Sequence, residues 1–376
     1  MPPPLYFDYN ATAPLKPAVR DIMAAVLAET GNPSAAHAFG RKARARVETA
    51  REQVAALLKA TPAQVIFNSG ATEGNNTVLQ AFRGTRVLVS AIEHSSVLNS
   101  APEAEKIPVT LDGLVDLDAL ESLLQQRPSP ALISVMAVNN ETGVIQPLQE
   151  IGDLARRYGA LFHCDAVQAI GKISLDMTTT GIDYLTLSGH KNGGPQGVGA
   201  LILRDCTDGT CIPTPTFLHG GGQEQRRRAG TENVASIAGL GLTCDLSAQD
   251  IDAFVALGAL RDRLEAGLKT LSPTVRIFGA SAPRIANTSF FGVPGVDAKT
   301  IMMTLDLAGV GVGSGSACSS GKSALSHVLK AMGVDDQAAT GAIRISLGWA
   351  TEPTEIDRFL DIWGKRVRRL TMDRSS

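Results

Sequence analysis

Short apolar runs alternate with amphipathic segments through the first part of the chain, and this alternation constrains the fold most. Six runs are predicted as buried strands because each is compact and apolar: residues 65–67, 86–89, 132–136, 160–164, 183–188 and 197–203. Helices are predicted between several of these runs. One ends at Phe82, and two others cover residues 117–126 and 148–158. Strands separated by helices predict an α/β domain built on a largely parallel sheet flanked by helices.

Two amphipathic segments precede the alternating region. Apolar side chains at helical spacing predict helices over residues 16–30 and 41–60, with Leu27 among the inward-facing positions of the first. The arginines from Arg41 to Arg51 are predicted to form a solvent-exposed face of the second helix. Both helices are expected to pack on the α/β domain.

The C-terminal part of the chain has a different pattern. A long amphipathic helix is predicted over residues 251–272, followed by strands at 287–291 and 343–347. Between these strands, residues 309–321 are rich in glycine and serine around Cys318, which predicts a mobile loop with little side-chain packing. We expect a smaller α+β domain here.

A chain of 376 residues is long enough for two domains. The predicted large domain covers residues 13–255. The small domain combines residues 1–12 with 256–376 and carries a catalytic loop at about residues 314–322.

Polar side chains follow the predicted strands where each strand ends. They are His94, Asn140, Asp165, Ser188, His190 and Lys191. Because ligands bind outside the carboxyl ends of strands in open α/β sheets, this coincidence predicts one shared site.

Lys191 lies just past the end of a predicted strand. Gly193 and Pro195 follow it and predict a turn, so we expect Lys191 to lie on a loop and not in a helix. Lysine forms Schiff bases with carbonyl cofactors such as pyridoxal phosphate. The alternative is an ordinary solvated loop lysine.

A pyridoxal phosphate held by Lys191 would need four kinds of partner. Donors for its phosphate are available from Ala71, Thr72, Ser188 and His190. Asp165 can pair with the pyridine nitrogen, Gln168 can bind the phenolic oxygen, and His94 can stack on the ring and move protons. The alternatives are a simple Ser/Thr N-cap for the stretch of residues 68–74, a helix N-cap for Asp165 and a structural loop histidine for His94.

Two further residues have chemistry that suits a substrate. A cysteine on a mobile loop, Cys318, suits a nucleophile that moves between two sites. Arg344 lies in an apolar strand and suits the binding of a carboxylate, with a structural ion pair as the alternative.

The composition excludes several classes of function. The net charge of −2 gives no indication of a nucleic-acid or membrane partner, and neither a signal peptide nor a bilayer-spanning run is evident, so we expect a cytoplasmic protein. Five scattered cysteines do not predict a disulfide framework. Cys206 and Cys211 lack the further ligands of a zinc site and are interpreted as loop cysteines.

Eight stretches together resemble the pyridoxal-phosphate cysteine desulfurases of the class V aminotransferase family, which have fold type I. They are YFDYNATAP, FNSGATEGNN, EHSSVL, VNNETG, CDAVQ, SGHK, GGGQEQRRRAGTEN and SGSACSSG. The resemblance runs in order from about Tyr6 to Ile356, and SGSAC is similar to the NifS/IscS-like group. Gln196 and Cys164 depart from the residues that are usual in the family.

This resemblance implies a role for each site residue. It implies that Lys191 binds the cofactor covalently, that His94 stacks on it, and that Asp165 and Gln168 contact its ring. It assigns the phosphate to Thr72, Ser188, His190 and, from the neighbouring subunit of a homodimer, Thr231. Asn140 and Arg344 match the positions that bind the substrate carboxylate near the cofactor, and Cys318 matches the nucleophile that forms a persulfide.

The implied reaction converts L-cysteine to L-alanine and leaves the sulfur on Cys318. A sulfur acceptor or iron–sulfur scaffold protein would then take it for iron–sulfur cluster assembly or thiolation. No resident metal is expected, with Cys318 as a candidate for a transient iron–sulfur ligand. The alternatives are a selenocysteine lyase, another class V enzyme, or a non-catalytic sulfur-transfer scaffold.

Overall fold

The computed structural model describes residues 3–126, 130–204, 212–213, 215–315, 325–367 and 370. The strands are β1 Leu5–Phe7, β2 Val65–Asn68, β3 Val87–Ser90, β4 Glu105–Ile107, β5 Leu132–Ser134, β6 Leu161–Asp165, β7 Tyr184–Ser188, β8 Gly199–Leu203, β9 Arg276–Ile277, β10 Thr288–Gly292, β11 Val310–Ser314 and β12 Ala342–Ser346. The helices are α1 Pro17–Leu27, α2 Ala38–Leu57, α3 Ala71–Ala81, α4 Ser95–Leu98, α5 Leu117–Gln126, α6 Leu148–Tyr158, α7 Met177–Thr180, α8 Val234–Gln249, α9 Ile251–Leu271, α10 Ala298–Asp306, α11 His327–Ala331, α12 Asp336–Thr340 and α13 Pro353–Ile362.

The larger sheet has the strand order β2-β8-β7-β6-β5-β3-β4. Strands β3 to β7 are mutually parallel, and β8 runs antiparallel between β7 and β2. The connection from β7 to β8 is short, so these strands are antiparallel neighbours, whereas a parallel pair needs a longer crossover. The predicted α/β fold with a mostly parallel mixed sheet is confirmed.

The smaller sheet has the order β1-β11-β12-β10-β9. Leu5, at the start of the chain, pairs in parallel with Val310, so the N-terminus belongs to the C-terminal sheet. A separate apolar core covers this sheet and includes Phe291, Phe359 and Trp363. The domain limits at residues 12 and 255 stay a prediction.

Helix α8 was not predicted from the sequence. Its small and apolar side chains are buried along most of its length, so no polar face marks its periodicity. It packs against α2 so closely that a Cβ atom at Gly241 would lie 2.5 Å from the Cα of Ala50. None of the described helices combines the length and hydrophobicity needed to cross a bilayer.

Three sequence predictions were wrong in detail. The segment 309–321 begins with strand β11, because Val310 and Val312 are buried against the small domain core, and residues 316–324 lie outside the described part. Arg51 is buried rather than solvent-exposed, because Glu224 pairs with it. Leu27 is 73% exposed rather than inward-facing, at the end of α1.

Candidate active site

One cavity of about 660 Å³ opens at the carboxyl ends of the central strands. All but two of the predicted catalytic, cofactor-binding and substrate-binding residues line it. The residues that line it are Ala71, Thr72, His94, Asn140, Asp165, Gln168, Ser188, His190, Lys191 and Arg344. The structure therefore brings together residues that are far apart in the sequence. The exceptions are Thr231, which does not line it, and Cys318, which lies outside the described residues.

Lys191 ends a short 3₁₀ turn, Gly189–Lys191, that directly follows β7. Its half-buried amine donates hydrogen bonds to the carbonyl oxygens of Asn10, at 2.9 Å, and Ala11, at 2.8 Å. The amine is thus held in the cavity wall and does not extend into solvent. This position suits a lysine that reacts with a bound carbonyl compound.

The N-terminus of α3 offers an anion site at one end of the cavity. The residue that precedes the helix is Gly70, at φ +143°, and it has no side chain to cap the first turn, so the alternative of a simple Ser/Thr N-cap does not hold. Backbone N–H groups of a helix N-terminus bind anions. Buried Ser188 and half-buried His190 line the same cavity.

His190 is neutral in this environment. Burial and the charge of Lys191 lower its pKa to about 4. Its Nδ1 lies 3.2 Å from Thr12 Oγ1, which fixes the ring. A neutral imidazole can donate one hydrogen bond to a phosphate oxygen.

Asp165 ends β6 and is buried with its carboxylate held at both oxygens. Oδ1 accepts from the Val167 backbone N–H at 3.0 Å, and Oδ2 accepts from Asn75 Nδ2 at 2.7 Å. The residue is therefore both a turn-capping group and a fixed carboxylate in the cavity wall. Sequence reasoning missed Asn75, since nothing in α3 alone indicates that it meets β6.

His94 precedes α4 and caps that helix. Its Nδ1 accepts the Ser96 backbone N–H at 3.1 Å, so the neutral ring carries its proton on Nε2. Burial lowers the His94 pKa, Asp165 partly opposes this, and the positive charge of Lys191 adds to it. The ring is therefore a neutral proton carrier in the cavity wall.

Asn10 is the centre of the polar network behind the cavity. Its carbonyl oxygen accepts from Lys191 Nζ and from Gln168 Nε2, each at 2.9 Å. Its side chain binds Thr288 Oγ1 at 2.8 Å, and its backbone N–H donates to Ser346 Oγ at 2.9 Å. Asn10 thus connects the lysine turn to the small sheet. Its place in the stretch YFDYNATAP was the available signal, but no role was assigned to it.

Arg344 lies at the end of the cavity nearest the small domain and is 4% exposed. Its Nη1 donates to the carbonyl oxygen of Asn140 at 2.9 Å, and its Nη2 pairs with Asp8 Oδ1 at 2.6 Å. Its buried Nε has no hydrogen-bond partner among the described residues. The structural ion pair thus exists, and the guanidinium keeps further N–H donors, including Nε, for an anionic ligand.

Thr231 is exposed and lies on the segment after the short 3₁₀ turn Gln223–Arg226. The nearby Arg228 binds Glu73 in the first turn of α3 at 3.0 Å, and Glu73 also accepts the Ser69 backbone N–H. Arg228 therefore offsets the acidic charge beside the anion site.

The donor set fits pyridoxal phosphate. The cavity combines an uncapped helix N-terminus, a fixed carboxylate, a neutral imidazole and a lysine amine. The unpaired Nε of Arg344 adds a donor at the opposite, small-domain side. Together these groups can bind an anionic cofactor and a second anionic group close to one reactive amine.

Residues 5–359 match the aminotransferase class-V family. The IscS-like cysteine desulfurase of Mycobacterium tuberculosis is 38% identical over 97% of this chain and 96% of its own length. A cysteine desulfurase of Nostoc sp. is 40% identical over 97% of this chain and 93% of its own length. The solved NifS-like protein from Rickettsia africae superposes with a TM-score of 0.88 at 37% identity, covering 96% of this chain and 99% of that one.

Proposed function

The chain belongs to the aminotransferase class-V family and to its cysteine desulfurases, and from this premise we propose how its own residues act. We propose that it converts L-cysteine to L-alanine on pyridoxal phosphate carried by Lys191, with transfer of the sulfur to Cys318. One observation carries the proposal: Lys191, the fixed carboxylate of Asp165 and the uncapped N-terminus of α3 all line one cavity.

Each cofactor group has a matching residue in this proposal. Ala71, Thr72, Ser188 and His190 would hold the phosphate, Asp165 would pair with the pyridine nitrogen, Gln168 would bind the phenolic oxygen and His94 would stack on the ring. When bound, the cofactor supplies an electron sink that stabilises negative charge on the substrate carbon. Asn75 keeps the Asp165 carboxylate in place for this pairing.

The chain orients the substrate and moves its proton. Arg344 and Asn140 bind the substrate carboxylate, with the unpaired Nε of Arg344 as one donor. The Nζ of Lys191 can hold the proton taken from the substrate carbon. The lowered pKa of His94 keeps that ring neutral near pH 7, and because its Nδ1 is held by the Ser96 backbone N–H, it can donate a proton from Nε2.

The sulfur step is proposed for Cys318, which lies outside the described residues. Its thiolate attacks the substrate sulfur, a sulfur–sulfur bond forms, and the carbon–sulfur bond breaks. The bonding electrons stay with the substrate carbon, which is then protonated to give alanine. The outer persulfide sulfur passes to an acceptor, for which an iron–sulfur scaffold protein is proposed.

A homodimer is part of this proposal. Thr231 is exposed and does not line the cavity of its own chain, which supports a contact with the phosphate site of a neighbouring subunit. Arg228, three residues earlier, already connects this segment to α3.

The test measures sulfide and alanine released from L-cysteine in the presence of a thiol reductant, with cofactor absorbance followed in parallel. We expect Cys318→Ala to keep the absorbance and release almost no sulfide. Cys244→Ala is the matched control, because burial raises the pKa of that thiol to about 12 and removes it from the chemistry. Full activity of Cys318→Ala would contradict the proposal and favour a lyase mechanism.

A further inference from the structure

The amide of Gln168 has two partners behind the cavity. Its Nε2 donates to the carbonyl oxygen of Asn10 at 2.9 Å, and its Oε1 accepts from Lys172 Nζ at 2.6 Å. The side chain is 3% exposed and lines the 660 Å³ cavity. Both ends of the amide are therefore held.

These partners allow one orientation of the amide. A backbone carbonyl oxygen only accepts hydrogen bonds, so the NH₂ group of Gln168 must face Asn10. Its Oε1 must then face Lys172, whose amine donates whether it is charged or neutral. The NH₂ group has a second N–H, which has no partner within the described part of the chain and is available to a ligand in the cavity.

Lys172 lies behind this amide and does not line the same cavity. It is 3% exposed, and its Nζ also donates to Asn10 Oδ1 at 3.1 Å. It lines a second cavity of about 510 Å³ on the far side, between α1, α9 and the small domain. Burial and the charges of Lys191 and Arg344 lower its pKa to about 7. Any effect of Lys172 on the cofactor must therefore pass through Gln168, through Asn10 or through its charge.

We propose that Lys172 is a positioning residue that holds the Gln168 amide so that its second N–H faces the phenolic oxygen of the cofactor. The inference rests on the proposed function. It agrees with the structure of pyridoxal phosphate, in which the phenolic oxygen and the aldehyde carbon that reacts with lysine are carried by adjacent ring carbons. In the structure, Lys191 and Gln168 donate to the same oxygen of Asn10.

The test is an absorbance pH titration of the holoenzyme. A donor to the phenolic oxygen stabilises the deprotonated form of the linkage between Lys191 and the cofactor, so its loss raises the titration midpoint. We expect Gln168→Ala and Lys172→Met each to raise the midpoint by about one pH unit, as for a tenfold change in proton affinity. The double variant should shift no further than Gln168→Ala alone.

This double variant separates positioning from simple charge. If Lys172→Met shifts the midpoint equally in the presence and absence of the Gln168 amide, Lys172 acts as a charge and the inference is overturned. Lys16→Met is the matched control, since Lys16 lines the same second cavity but binds Asp250 at 2.9 Å. We expect it to leave the midpoint unchanged, and a shift equal to that of Lys172→Met would also overturn the inference.

The outcomes remain decisive if Lys172→Met does not fold. Lys172→Arg keeps a donor for Gln168, so a midpoint closer to the wild type than to Gln168→Ala supports positioning, and one closer to Gln168→Ala contradicts it. A wild type without cofactor absorbance would instead contradict the proposed function, so the two failures are distinguishable.

Discussion

Glu224→Gln tests how much the buried ion pair between Arg51 of α2 and Glu224 contributes to the unfolding free energy. Glu224 lies on the segment that leads to Thr231. Glu224 Oε1 accepts from Arg51 Nη2 at 2.7 Å, and its Oε2 accepts from Arg51 Nη1 at 2.9 Å and from the Phe67 backbone N–H at 2.8 Å. Both side chains are nearly inaccessible, at 8% and 3% exposed. An amide keeps the shape of this carboxylate but removes its charge.

The expected cost follows from these contacts. Whichever way the amide of Gln is turned, its NH₂ group faces at least one donor, so at least one hydrogen bond is lost. Among the described residues, Glu48 is then the carboxylate left to pair with the Arg51 guanidinium, which also donates to the Val65 carbonyl oxygen. Breaking a buried ion pair from one side costs about 3–5 kcal/mol, and we expect about 3 kcal/mol because the amide oxygen still accepts.

The assay is urea-induced unfolding of the holoenzyme, compared with the matched variant Glu48→Gln. Glu48 binds the same arginine at 3.1 Å, but its side chain is 47% exposed. An exposed pair contributes about 0–1 kcal/mol, so this variant should lose less than about 1 kcal/mol of unfolding free energy. If Glu224→Gln costs no more than Glu48→Gln, the reasoning from burial is refuted.

Three further outcomes are expected. Arg344→Lys removes the planar fork and should raise the KM for L-cysteine about tenfold with a smaller effect on kcat, as steady-state kinetics would show; an unchanged KM contradicts the proposed role. Asn75→Ala removes the 2.7 Å bond to Asp165 and should release the cofactor about tenfold faster, measured by absorbance after dilution; equal release rates would exclude the support role. Burial lowers the pKa of His163 to about 3 from 6.5, so its contribution to stability is complete above pH 6.5 and is lost as the pH falls towards 3. The variant His163→Gln should therefore lose about 2 kcal/mol less unfolding free energy than the wild type between pH 7 and pH 5, and identical losses would contradict this.

The sequence was sufficient to predict six of the seven described strands of the larger sheet, all but β4, and to predict that the candidate site residues meet at one edge of it. Parallel strands buried on both faces appear as short apolar runs, and their polar ends fall at one edge. Ser188 and Lys191 could therefore be assigned to a common site before any contact was known.

The supporting residues could not be predicted, because only long-range packing brings them together. Asn10 is 181 residues from Lys191, and Glu224 is 173 residues from Arg51. Local patterns carry no information about such pairs, so a buried arginine was interpreted as a solvated one. Helix α8 was missed for the opposite reason, since a helix buried on most sides has no polar face to reveal its period.

The pairing of β1 with β11 has a consequence for biosynthesis. The N-terminal residues leave the ribosome first, but Leu5 has no strand to join until Val310 has been made. The larger sheet, complete by Leu203, can form well before that moment. Asn10 follows β1, so the oxygen that receives Lys191 reaches its final place only after Val310 has been made. A nascent chain can therefore hold a folded large sheet before Lys191 and the Asn10 carbonyl oxygen have met.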